Sequence, residues 1–567
     1  MSRGGPKRRE TNSQKKKFTM VEILVIEKTV FQVPADEHGK PVHYPGEEDN
    51  HQHHHQHHQV ERTRDITETP PSSNTHDDQP PLRKWQYLLL TGLEYFKYLY
   101  SMALLIFSIV LVLGAMFTWQ STATHEMGIH PALAFFIFWF LILWLAMMEG
   151  GQGCLVGLQW IDKSLYQESH PRTLKSTTVA HKGDNMERFI VGRQFLVVLV
   201  VFISNLMASA IPGATLFNLP EGLTKVFLES GVALILVTIE LGQLTAQVNA
   251  AKCMLDFINN YFMVFTTYVS LFIEATGLLH AVYLVQIVFA KVAGKPVESD
   301  EPPRTTAQKV LFWGRVALSM VVLGFSFAVT LAALFQGKTT MWPSVPDAVS
   351  VILFFMLMCF VGLMEGMQIA LFAVVNLPRD ELMQHPLAHK TCELTFRGHH
   401  LQAFLIGRQI CVTVCTFVVA RITTLAVTTG QGENIFGVSD GLQNFFNTGL
   451  LGAIITTIVA SLAWRVVASS FPVAFLSNPL IYAIVRLCLL LEMTGVCSVA
   501  WLLALLQKRL AGYQVDEVYV GTPEERALIV KVRQNNDLQL QEQMEEGVEV
   551  EAVDIEEVST EEDQAEL

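Results

Sequence analysis

The chain has 567 residues, of which 50% are hydrophobic and 16% charged, with a mean hydropathy of +0.33. That balance excludes an ordinary soluble protein, because apolar runs of about 20 residues recur from Leu99 to Leu506 and each is long enough to cross a bilayer. The net charge of −13 belongs mainly to the tails: eleven acids and no Lys or Arg lie between Glu545 and Leu567, and nothing in the chain carries a nucleic-acid signature.

Residues 1–84 form a polar leader, expected to be cytoplasmic and largely disordered. It has basic runs (Lys7-Arg8-Arg9 and Lys15-Lys16-Lys17) and a histidine-rich tract from His51 to His58. It lacks the apolar core of a cleaved signal peptide. The histidines are unevenly spaced in polar surroundings and read as a flexible linker before they read as a metal site.

Ten apolar spans follow, at about 96–118, 131–158, 189–211, 223–249, 257–291, 308–335, 347–375, 403–427, 444–468 and 472–506. Asn478-Pro479 is expected to kink the last. Residues 508–567 form a cytoplasmic tail. Thr522-Pro523-Glu524-Glu525 opens a short amphipathic or coiled-coil helix there, a surface for a second copy or a cytoplasmic partner, before the acidic end.

The spans are duplicated. Glu149-Gly150-Gly151-Gln152 returns as Glu365-Gly366-Met367-Gln368 (365 − 149 = 216), and Gly192-Arg193-Gln194 returns as Gly407-Arg408-Gln409 (407 − 192 = 215). His170-Pro171 recurs as His385-Pro386, and Glu274-Ala275-Thr276-Gly277 as Glu492-Met493-Thr494-Gly495. The fold expected is an all-α polytopic membrane protein of about ten helices in two five-helix repeats, residues 85–297 and 298–507. Five is odd, so the second repeat is expected upside down. The basic residues pull the other way. Lys163, Arg172, Lys175, Lys182 and Arg188 lie in one loop, and Arg379, Lys390 and Arg397 lie in its counterpart. Lys291, Lys295 and Arg304 lie in the linker, and an even count per half would put all three stretches on the cytoplasmic side.

Charged groups cost roughly 2.5 to 3.5 kcal/mol at a helix centre, so two copies of the same costly set point to one polar site built from two halves. Glu149 and Gln152 share a face, as do Glu365 and Gln368. Arg193 and Arg408 each bring a five-donor fork, and Gln194 and Gln409 both donate and accept. One reading is a pair of buried ion pairs that lock helices together. The other is a hydrogen-bonding lattice around a neutral, hydroxyl-rich solute. Glu274 and Glu492, mid-span in each half, are candidate intramembrane supports. Glu240, Gln243 and Gln247 form a polar stripe in the first half alone and read as a cavity wall. The eight cysteines have no framework spacing and read as packing residues. No hydrolytic triad, metal box or phosphate loop appears, so an enzyme is not expected.

The duplicated Glu-Gly-x-Gln and Gly-Arg-Gln motifs resemble those of the diatom silicon transporters, over about residues 85–540. The resemblance implies sodium-coupled uptake of orthosilicic acid across the plasma membrane, with both termini cytoplasmic. A silica-forming vesicle is the other membrane that suits such a protein. It implies Glu149, Gln152, Arg193, Gln194, Glu365, Gln368, Arg408 and Gln409 as substrate-handling residues, sodium as the coupling ion and no other cofactor. It identifies no sodium site. The rivals are a carrier of another small hydroxylated acid such as borate, and a non-transporting membrane sensor.

Overall fold

The computed structural model describes residues 84–294, 304–374, 382–397 and 400–521, apart from 343, 431 and 433. The leader with its histidine tract, part of the linker, and the tail helix and acidic end lie outside those residues. Fourteen principal helices carry the fold, seven to each half. In the first half they are α1 (Lys84–Phe117), α2 (Pro131–Gly157), α3 (Pro171–Ala180), α4 (Asn185–Ala208), α5 (Val232–Ala250), α6 (Tyr261–Ala275) and α7 (Ala281–Ala293). In the second they are α8 (Thr306–Phe335), α9 (Asp347–Val374), α10 (Pro386–Phe396), α11 (His400–Thr423), α12 (Leu450–Ser470), α13 (Pro479–Met493) and α14 (Val499–Ala511).

Eight of these are long and apolar enough to cross a membrane: α1, α2, α4 and α5, and their counterparts α8, α9, α11 and α12. The protein is an all-α polytopic membrane protein. Local sequence sets the ends of its helices. His130 caps α2 with Pro131 in the first turn, and Asn478 caps α13, accepting from the Leu480 amide at 3.0 Å with Pro479 in the first turn. Asn478-Pro479 therefore parts the expected span into a short helix, Pro472–Leu476, and α13, a sharper interruption than a kink.

The expected spans at 257–291 and 472–506 are each broken near the middle, at Gly277 and Gly495, between α6 and α7 and between α13 and α14. Both glycines take positive φ (85° and 73°), which L side chains rarely adopt. Each break is held by the first helix of the opposite half. Ser319 on α8 donates to the Leu278 carbonyl at 2.6 Å and accepts from the Ala281 amide at 3.0 Å. Ser101 on α1 donates to the Val496 carbonyl at 2.6 Å and accepts from the Val499 amide at 3.0 Å. All three positions are displaced by 218 (319 − 101, 496 − 278, 499 − 281). Ser319 lies 13 residues into α8 (319 − 306), so the break sits about 20 Å along that helix.

The expected inversion does not hold. Arg421, in the last turn of α11, donates through Nη1 to Ser209 Oγ at 3.1 Å, just past the end of α4. Trp342, between α8 and α9, donates to the Glu229 carbonyl at 2.6 Å, just before α5. Inverted halves would hold these loops a bilayer apart. The halves therefore run in the same direction, with four through-going helices each. The pairs α6–α7 and α13–α14 enter and leave at one end of the bundle. This puts the helix ends that flank the basic stretches 158–184 and 375–399 and the linker on one side of the bundle, in keeping with the distribution of Lys and Arg. The opposite end, loops 118–130, 209–231, 336–346 and 424–449, has Lys225 and Lys338 as its Lys and Arg content.

Candidate functional site

Close helix contacts, made possible by glycine, build the site twice. A Cβ on Gly150 would run into the Phe257 ring and the Ala246 carbonyl, and one on Gly366 into Phe475 and the Trp464 carbonyl. Bare backbone at these positions lets α5 close on α2, and α12 on α9. Likewise a Cβ on Gly192 would overlap the Ser270 carbonyl, and one on Gly407 the Cys488 carbonyl, so α6 seats on α4 and α13 on α11.

These approaches bring the costly groups together. Arg193 Nη1 lies 3.6 Å from Glu149 Oε1, and Arg408 Nη1 lies 3.5 Å from Glu365 Oε1. Arg193 Nη2 donates to Gln194 Oε1 at 2.8 Å, and Arg408 Nη2 to Gln409 Oε1 at 3.0 Å. Gln247 Nε2 donates to Glu149 Oε2 at 3.1 Å and reaches Gln409 Oε1 at 3.4 Å, which joins the halves. Arg465 binds Glu365 Oε2 through Nε at 3.0 Å and also through Nη2. Thr413 donates to Gln243 Oε1 at 2.6 Å.

All of these groups line one cavity of about 710 Å³. Every one of the eight motif residues expected to handle substrate is on its wall: Glu149, Gln152, Arg193, Gln194, Glu365, Gln368, Arg408 and Gln409. The lining continues past Gly157, Met254 and Ala373 toward the basic end. At the other end, the packing of Phe417 on Gly231 and Phe202 on Gly449 closes the bundle.

Both arginines are buried yet keep donors in hand. Nε and Nη1 of Arg193 and of Arg408 have no hydrogen-bond acceptor among the described residues, and buried donors of this kind are costly unless something accepts from them. Gln152 and Gln368 add amides on the wall. The cavity therefore offers many donors and several acceptors, the chemistry that replaces water around a polyhydroxy solute.

Two residues gained importance that the repeat alone had not assigned. Gln247, on the cavity wall, bridges Glu149 and Gln409, and Arg465 is its counterpart (465 − 247 = 218). The substitution of Arg for Gln leaves two carboxylates facing three guanidiniums, a surplus of one positive charge. The displacement of 218 was readable in the sequence and pointed to Arg465. The candidate supports lie elsewhere. Glu274 accepts from Tyr283 Oη at 2.9 Å and lies 3.8 Å from His280 Nε2, beside the first break and away from the cavity wall. Glu492, half-buried, is likewise off the wall. All eight cysteines are free, and seven are buried. Among the described residues, no cluster of three His, Cys, Asp or Glu could hold a metal ion.

A family model described as silicon transporter matches residues 89–566. No curated protein and no solved structure matches the chain.

Proposed function

The chain belongs to the silicon transporter family, and on that footing we propose that it takes up orthosilicic acid together with sodium by alternating access. The observation that carries this reading is the single cavity on which the duplicated motifs converge, with arginine and glutamine donors left over after the internal pairs are made. Orthosilicic acid is neutral near neutral pH and carries four hydroxyls, each able to donate and accept. It meets glutamine amides and half-spent guanidinium forks without needing a strong net field.

Two halves running the same way about one central site is a plan that rocks open to either side. The basic end faces the cytoplasm by the distribution of Lys and Arg, so the form described here is open inward. Both termini then lie in the cytoplasm, with the plasma membrane as the site of uptake.

A neutral solute is not concentrated by voltage alone. One sodium ion entering down 100 mV supplies about 2.3 kcal/mol, which at 1.4 kcal/mol per decade allows roughly 50-fold accumulation. Silicon uptake into liposomes holding the purified protein tests this, with and without a sodium gradient. Accumulation above equilibrium only with sodium is expected. Uptake that ignores sodium and stops at equilibrium identifies a facilitator. Competition by borate separates a carrier of a different hydroxylated acid, and an absence of flux leaves a sensor.

A further inference from the structure

The cavity, with its surplus positive charge, is a poor seat for a coupling cation, and the carboxylate best placed to hold one lies outside it. Glu240 stands out. It is wholly buried (0% exposed), and among the described residues neither carboxylate oxygen meets a donor at full hydrogen-bond geometry, the weakly donating Cys497 thiol being beside it. Cys497 and Ser101 are the polar side chains beside it. Ser101 has already given its proton to the Val496 carbonyl and accepts from the Val499 amide, so it turns a lone pair toward the carboxylate. Two oxygens facing one another with no hydrogen between them repel unless a cation lies there.

The surroundings are those of a built site. Glu240 opens a π-helical turn, Glu240–Leu244, and its carbonyl is met by Thr245 Oγ1 at 2.6 Å; such turns mark functional positions in helices. The break after α13, an irregular stretch of backbone, passes beside it through Cys497. The second half has the same π turn, Thr456–Leu462, but Ile458 stands at the counterpart position (458 − 240 = 218) in an apolar cluster. Packing therefore does not call for a carboxylate here. No ionised group on α1, α2, α11 or α14 faces Glu240. Lys97, one turn from Ser101, points its ammonium at Glu94, 3.3 Å away.

We propose that Glu240 is the coupling-cation site, a carboxylate that takes up sodium or a proton where α1, the π turn of α5 and the break before α14 meet. The link to substrate is short. Gln243, three residues on in the same turn, lines the cavity and accepts from Thr413. Neutralising Glu240 relieves the repulsion at the break, and the turn that carries it also carries a cavity wall. This proposal rests on the cation-coupled reading above, and on no other part of it.

The test compares the purified full-length protein with E240Q, which keeps the shape and removes the charge. Three readouts are needed: heat stability in sodium chloride against choline chloride and across pH, silicic acid exchange at equal concentrations, and gradient-driven accumulation. If sodium is the occupant, sodium stabilises the wild type and not E240Q. E240Q then still exchanges silicic acid but no longer accumulates it. If a proton is the occupant, the wild type ignores sodium, responds to an inward proton gradient, and loses that response in E240Q. Accumulation by E240Q equal to wild type overturns the site while leaving coupling intact. A wild type that accumulates with neither gradient overturns coupling and this site together. Should E240Q fail to fold, E240D decides: a weakened cation response supports the site, and an unchanged one overturns it.

Discussion

Trp342 donates its indole N–H to the carbonyl of Glu229 at 2.6 Å, and its ring lies 5.0 Å from the Arg421 guanidinium. One side chain from the second half thus touches a loop of the first while covering the arginine that also reaches Ser209. Together these contacts hold shut the end of the bundle opposite the basic loops.

Trp342→Phe keeps an aromatic ring, though a smaller one, and removes the donor. Loss of one hydrogen bond is worth about 1 kcal/mol, so the closed end opens roughly fivefold more often. A cysteine at Thr413, on the cavity wall, should react faster with a polar thiol reagent applied from that side. Equal rates in the two backgrounds would remove the latch.

Gln247 and Arg465 occupy equivalent places but should respond differently. Gln247→Ala loses a bond to Glu149 and the bridge to Gln409, so the half-saturation concentration for silicic acid is expected to rise about tenfold, with little change in folding. Arg465→Ala leaves Glu365 buried with Arg408, at 3.5 Å, as its remaining ion-pair partner. Stripping a partner from a buried carboxylate costs about 3–5 kcal/mol, so that variant should lose thermal stability first. Uptake kinetics and melting curves on both proteins separate the two effects.

Gly192→Ala and Gly407→Ala each set a methyl group against a carbonyl oxygen, that of Ser270 or of Cys488. Backbone cannot step aside cheaply, so each change should cost about 1–3 kcal/mol and lower the melting temperature. Gly153→Ala, within α2 but with nothing within 4 Å of the added carbon, is the control and should leave the melting temperature unchanged or raise it.

His181 lies in the loop before α4, with Nε2 2.8 Å from the Leu155 carbonyl, a geometry in which the neutral ring donates. Burial holds its pKa below the ordinary 6.5. The unfolded chain therefore takes up the proton first, and the folded form loses stability as pH falls below about 6.5. The loss stops growing once the lower, folded value is passed. Thermal melts across that window should slope downward with acid in wild type, and less steeply in His181→Gln. Parallel slopes would show that His181 is not the group responsible.

Much of the site could be read in the motifs. Glu149, Arg193 and their partners are expensive in hydrocarbon, and their repetition at displacements of 215 and 216 marks them whatever the fold. Arg465 escaped because Gln does its work in the first half, so identity of residue type failed where identity of position held. By spacing alone Glu240 falls in one stripe with Gln243 and Gln247, yet it is off the cavity wall. Only the packed structure separates it from Gln243 and Gln247 by turning it toward Ser101 at the break, where its own half and the other meet.

From the chain alone came the helical class, the membrane setting, the duplication and the eight cavity residues, because hydropathy and repeated polar groups are written residue by residue. The direction of the second half was decided only in three dimensions. Hydropathy measures how long an apolar run is, and the runs at 257–291 and 472–506 are long enough to cross. It does not register that Gly277 and Gly495 break them, or that Ser319 and Ser101 hold the breaks within the bundle. Two fewer crossings make each half even, and an even count turns an inverted pair into a parallel one.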